Sequence, residues 1–114
     1  MCKLQKIRNR KAVSQGWACY YCEQPMWKDN LATFAAENGI TLRQARLLQT
    51  TAEHLTPRAD GGCDRDKNIV AACAYCNIQR HKGRAVLSPH AYGLKVRRQL
   101  RSGRWHKLRL RKLS

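Results

Sequence analysis

Glu53-His54, Asn68, Asn77 and His81 place a carboxylate, two imidazoles and two amides within residues 53–81. On a helix, positions i and i+4 share a face, so Asn77 and His81 point at one spot. Adjacent strand residues point to opposite faces, so Glu53 and His54 converge only if the strand bends or one side chain curls around. With that condition met, Glu53, Asn77 and His81 form an oxygen/nitrogen site suited to a hard or borderline divalent ion. His54 is then left free as a base, since an imidazole of unperturbed pKa about 6.5 accepts a proton at neutral pH. Each residue also has a plainer reading. His54 alone is a strand histidine, Asn68 a turn residue, Asn77 a helix-start residue, and His81 a member of the solvated run Arg80-His81-Lys82.

Four of the six cysteines form two C-x-x-C pairs, Cys19/Cys22 and Cys73/Cys76, while Cys2 and Cys63 read as spare thiols. The paired spacing lets two sulfurs reach one ion from a single turn, and four thiolates complete a tetrahedral Zn²⁺ site with no open position. The expected role of that zinc is structural. The long stretch between the pairs must then be an excursion, which slow growth of loop-closure entropy allows. Reduced cysteines, no signal-peptide core and no apolar run of membrane-spanning length point to a cytoplasmic setting with no membrane association.

Lys and Arg total 23 against seven acidic residues, a formal charge of +16. Every acidic residue precedes position 67, and thirteen cations follow from Lys67 onward. Such a one-signed field selects polyanionic partners, nucleic acid before anionic membrane or ribosomal RNA. Nine cations fall within residues 95–114. Of these, Arg97, Arg98, Arg101, Arg104 and Lys107, with Arg58 and Arg80 near the motif, are the candidate phosphate contacts. His90 and His106 read as surface or phosphate-contact residues. Trp105 either stacks on bases or anchors the arm to the core.

The elements that must position these residues are short. Residues 3–15 suit a basic helix stopped by Gly16, and Asp29 a cap for a helix closed by Asn38-Gly39. Thr41 with Gln44 reads as a capping box for a helix over 42–48. This pair faintly resembles a DNA-reading helix–turn–helix, though an inserted hairpin filling the core is the preferred reading. Residues 50–56 suit a strand ending at Pro57, residues 68–72 a second strand, and 73–83 a knuckle running into a helix. Ser88-Pro89 starts a helix reaching about Ser102, and the alternating Leu108–Arg111 suits a short strand or a segment that folds on binding.

The stretches AEHLTPRADGG and NIVAACAYCNIQRHKG resemble the HNH endonuclease motif in its ββα-metal form, over residues 51–83. Cys19/Cys22 extends the resemblance to that family's zinc-knuckle branch. The resemblance implies His54 as the general base activating water, Glu53 as a metal ligand, and Asn68 as the residue steadying loop and base. It implies Asn77, in an HNN variant, and His81 as further ligands of Mg²⁺ or Mn²⁺. The expected product ends are 5′-phosphate and 3′-hydroxyl. Glu53 departs from the commoner Asp. The expected protein is therefore an α+β single domain over residues 1–114: a zinc-stabilised ββα-metal core, an inserted helical hairpin and a basic arm over 88–114. It would cut or nick double-stranded DNA, with specificity helped by a second copy or a protein partner. The rival expectation is a non-catalytic zinc-stabilised nucleic-acid-binding module or a catalytically dead scaffold, to which charge and cysteines apply equally.

Overall fold

The computed structural model describes residues 3–83 and 85–114. In chain order its elements are helices α1 (Lys3–Ser14), α2 (Leu31–Asn38) and α3 (Leu42–Arg46), strands β1 (Thr50–His54) and β2 (Ile69–Cys73), then helices α4 (Ala74–Arg80) and α5 (Pro89–Arg101). The two strands pair antiparallel, with Thr50 opposite Cys73 and His54 opposite Ile69. Helices α1 and α4 pack on both strands. The architecture is α+β, a hairpin-and-helix unit with accessory helices.

β2 is buried at all five positions, as its Ile-Val-Ala-Ala-Cys run requires. Its outer edge is closed without a third strand. The Gln15 side chain donates to the Ala71 carbonyl (2.8 Å) and accepts from the Ala71 N–H (2.9 Å). Tyr20 N–H also donates to that carbonyl. This covers an edge that would otherwise invite pairing with another chain.

The α2–α3 pair is a structural insert. Its connection turns at Gly39, whose φ of 62° is the left-handed cap that glycine adopts at low cost. The predicted capping box is present at Thr41 and Gln44. Trp27 Nε1 donates to the Ala45 carbonyl at 2.6 Å, tying the insert to the segment before it. The α2 cap is Asn30 rather than Asp29: the Asn30 side chain accepts from Thr33 N–H, while Asp29 pairs with Lys28. Helix α3 ends at Arg46, short of the expected Leu48.

β1 also stops earlier than expected, at His54. The Thr56 backbone is taken by the Asn68 side chain, which accepts from Thr56 N–H (2.8 Å) and donates to the Thr56 carbonyl (3.1 Å). The chain then turns tightly at Gly62, whose N–H donates to the Pro57 carbonyl. A Cβ on Gly62 would lie 1.7 Å from the Thr56 carbonyl oxygen. Gly62→Ala is therefore expected to force residues 56–63 apart and cost about 1–3 kcal/mol, read as a lowered thermal midpoint. An unchanged midpoint would show that the turn can repack around a methyl group.

The basic arm is not a free clamp. Leu108 is buried, and Leu110 and Leu113 pack on the core. Gln24 exchanges two hydrogen bonds with the Arg111 backbone, and Ser114 donates twice to Glu23. The expected Leu108–Arg111 strand is absent: that segment runs as irregular chain against the first knuckle. His106, expected at the surface, is buried, and burial pushes its imidazole down to about 4. It stays neutral, with Nδ1 accepting from Leu108 N–H.

Candidate active site and metal centre

The Sγ atoms of Cys19, Cys22, Cys73 and Cys76 all lie within 4.8 Å of one another, and all four residues are buried. The first pair sits on a tight turn closed by the Ala18–Pro25 bridge, the second where β2 enters α4. Zn–S bonds of about 2.3 Å imply tetrahedron edges of about 3.8 Å. The Cys22–Cys73 separation is 3.9 Å, too long for a disulfide and right for such an edge. N–H groups of Tyr21 and Cys73 point at Cys19 Sγ, and Trp105 Nε1 at Cys76 Sγ. Donors aimed at sulfur stabilise thiolate charge, so the donor set and its surroundings fit zinc. Trp105 thus anchors the arm to the tetrad, and the base-stacking alternative falls away. Cys63 is an exposed free thiol, and Cys2 lies outside the described residues.

A cleft of about 570 Å³ opens where β1 ends. Glu53, His54, Asn77 and His81 line it together with Leu4, Arg58 and Asp60. The four sequence candidates Glu53, His54, Asn77 and His81 therefore meet in one cavity, and the strand-bend condition is resolved by β1 stopping at His54. Asn68 stands behind them. Besides holding Thr56, its amide donates to the Cys63 carbonyl (2.9 Å), so one side chain pins both ends of the Gly62 loop.

His54 Nε2 lies 2.6 Å from Asp64 Oδ1. An ionised carboxylate only accepts, so the shorter contact assigns the ring proton to Nε2, from which Arg58 Nε stands farther off at 3.3 Å. Arg58 donates twice from Nη2 to the same carboxylate at 3.0 Å. The His54 contact first, and Arg58 second, hold the Asp64 carboxyl below its usual range. Nδ1 of His54 makes no hydrogen bond to any described residue, leaving its lone pair for a ligand.

Glu53 is 1 % exposed and fully engaged. Its Oε2 accepts from Tyr21 Oη (2.6 Å) and Arg80 Nη1 (2.7 Å), while Oε1 lies 2.8 Å from His81 Nε2. Burial, then the neighbouring Glu53 carboxylate, push the Tyr21 phenol far above its ordinary range, so it remains a donor. Arg80 is the clear correction to the candidate phosphate contacts. Its guanidinium is buried, and its donors go to Glu53 and the carbonyls of His54, Leu55 and Leu87. A side chain so committed has no donor left for a phosphate. Arg97 is half-buried and donates to the Tyr21 carbonyl, whereas Arg98, Arg101, Arg104 and Lys107 are exposed on α5 and the turn after it.

Asn77 is held by its nitrogen. Nδ2 donates to Thr51 Oγ1 and the Ala52 carbonyl, both at 3.0 Å. Thr51 Oγ1 spends its own proton on the Ala72 carbonyl, which fixes the amide orientation and leaves Asn77 Oδ1 as the open atom. The donor set of Glu53 Oε1, His81 Nε2 and Asn77 Oδ1 is that of a hard or borderline divalent ion. Ligand bonds of about 2.1 Å at right angles put neighbouring donors about 3 Å apart, so the 2.8 Å Glu53–His81 spacing is compatible with a shared ion. Asp64, Tyr21 and the burial of Arg80 were not legible in the motif.

An antiparallel pair and a helix closing on a His-Glu-Asn cleft, with a cysteine tetrad at the strand–helix junction, define a zinc-knuckle ββα domain. Residues 38–83 match the HNH endonuclease family model, so over that stretch the chain is similar to an HNH endonuclease. No curated protein and no solved structure matches the chain. The match omits the first cysteine pair, which the fold brings to the second.

Proposed function

We propose that the protein is a divalent-metal-dependent endonuclease of double-stranded DNA, with His54 as general base. The observation that carries this reading is His54 itself: Nε2 is tied to Asp64, Nδ1 is open, and the Glu53–His81 pair stands in the same cleft. A water proton passes to His54 Nδ1, and the Asp64 carboxylate stabilises the resulting imidazolium. Asn68 keeps the loop that carries Asp64 against β2, and so fixes the base. Glu53, Asn77 and His81 would hold the ion, which would supply positive charge to the phosphate and the leaving oxygen. Arg58, exposed at the cleft mouth, adds charge beside the phosphate. Arg98, Arg101, Arg104 and Lys107 add salt-dependent affinity without sequence information. Among the described residues no helix is long and apolar enough to cross a membrane.

One observation favours the rival non-catalytic module: Glu53 is already neutralised by Arg80, as a purely structural carboxylate would be. Supercoiled plasmid separates the two. With Mg²⁺ or Mn²⁺ the wild type is expected to nick or linearise it, omission of the added ion to stop the reaction, and His54→Ala to lower the rate by about 10²–10⁴-fold with zinc and DNA binding retained. A folded, zinc-loaded wild type that binds plasmid and leaves it intact with each divalent ion would establish the binding module instead.

A further inference from the structure

The C-terminal arm dominates the charge count, yet no described residue beyond Val86 lines the cleft. Helix α1 does line it. Leu4 forms part of the cleft wall, and α1 carries five cations and no acidic residue among twelve positions. Lys3, Lys6 and Arg10 recur at helical spacing along one shoulder, beside the inner row in which Ile7 is buried against the core. With Arg65 and Asp66 from the turn before β2, they line a groove of about 490 Å³. Arg10 and Lys11 are paired to Asp66, which latches the helix to that turn. Lys3, Lys6 and Arg65 are exposed and make no ion pair with any described residue. The groove thus keeps a net positive charge, beside the cleft, on rigid backbone.

We infer that this groove, built from Lys3, Lys6 and Arg65, seats the phosphate backbone of the duplex next to the phosphate presented to His54. The inference rests on the nuclease reading for its substrate. Geometry supports a strand of nucleic acid over other polyanions. Lys3 and Lys6, the unpaired cations on this shoulder, lie three helical positions or about 4.5 Å apart along the axis, close to the rise of one nucleotide. The α5 and tail cations lie outside the cleft, and Arg101 is partly spent on the Ser114 carbonyl. Arg98, Arg101, Arg104 and Lys107 strengthen binding, whereas the α1 groove sets where the duplex lies and Arg109 and Lys112 make no phosphate contact.

The test measures duplex binding by the zinc-loaded His54→Ala protein without added Mg²⁺ or Mn²⁺ and without chelator, so it does not depend on cleavage. Lys3→Gln/Lys6→Gln/Arg65→Gln is expected to weaken binding at least tenfold near physiological salt. It should also flatten the slope of log K against log salt by about 0.9 per lost contact, nearly three in all. Arg109→Gln/Lys112→Gln is expected to leave the slope close to the parent's. Zinc content and thermal midpoint report that both variants are folded. An unchanged slope in the triple variant, a loss confined to the tail variant, or no duplex binding by the parent overturns the groove. A wild type that binds through the groove but never cleaves overturns the nuclease reading alone.

Discussion

Chelating the metal of the cysteine tetrad is expected to unfold the whole domain, not to loosen one turn. Cys19 and Cys22 belong to a knuckle with no regular element of its own beyond a bridge, and Cys73 and Cys76 to the β2–α4 junction. The tetrad lies inside the main apolar cluster, with Tyr21, Met26, Leu48, Tyr92, Val96 and Leu100 around it. Without an ion the four sulfurs frustrate one another. Burial pushes Cys73 and Cys76 well up. Burial opposes ionisation of Cys19 too, but its three neighbouring thiols hold it low. A dication removes that conflict by ionising all four. Structural zinc contributes about 10–16 kcal/mol in small zinc domains, and a domain is stable by only about 5–15 kcal/mol in total. A strong chelator should therefore abolish the cooperative melt seen by circular dichroism, and added Zn²⁺ should restore it. Cys76→Ser should behave like the chelated protein, because one weak ligand cannot complete the tetrahedron. A sharp melt that persists after metal analysis shows no zinc would refute a structural role.

The sequence was most legible where local rules and the motif coincide. Thr41/Gln44, Ser88-Pro89 and Asn38-Gly39 act through neighbours within four residues, and each was found in place. C-x-x-C spacing located the tetrad because its geometry is local within each pair. Long-range partners were invisible. Tyr21 meets Glu53 across thirty-two positions, and Gln24 meets Arg111 across eighty-seven; no spacing rule connects them. Arg80 misled for a related reason. Within Arg80-His81-Lys82 it reads as surface charge, and only the buried carboxylate and three carbonyls around it show otherwise. The arm misled because its cations alternate with leucines, and charge counting cannot reveal that Leu108 and Trp105 are drawn onto the knuckle. Asp64 was overlooked because it lies ten positions from His54 across a loop, and only the Gly62 turn and Asn68 fold that loop back.

Arg80→Met is expected to be the most damaging single substitution outside the tetrad, at about 3–5 kcal/mol. The side chains of Arg80 and Glu53 are 2 % and 1 % exposed. Removing the cation leaves a carboxylate in the interior with Tyr21 and His81 as its remaining partners. It also strands the carbonyls of His54, Leu55 and Leu87, which converge on the guanidinium from β1, the following loop and the segment before α5. Glu53→Gln should cost less, because an amide oxygen still accepts from Arg80 and Tyr21. Glu53→Met/Arg80→Met should recover part of the loss, since it removes both charges from the interior. The cycle formed by Glu53→Met, Arg80→Met and the pair should show a favourable coupling of about 0.5–3 kcal/mol. Denaturant unfolding of zinc-loaded proteins measures each corner. Arg80→Met within about 1 kcal/mol of wild type would mean that Glu53 escapes to solvent or takes up a proton, and the clamp would be dispensable. Plasmid cleavage by Glu53→Gln separates stability from chemistry. If Glu53 holds the ion, this variant stays folded yet needs far more Mg²⁺ to reach half its maximal rate. If Glu53 serves only the Arg80 clamp, its metal dependence matches the wild type.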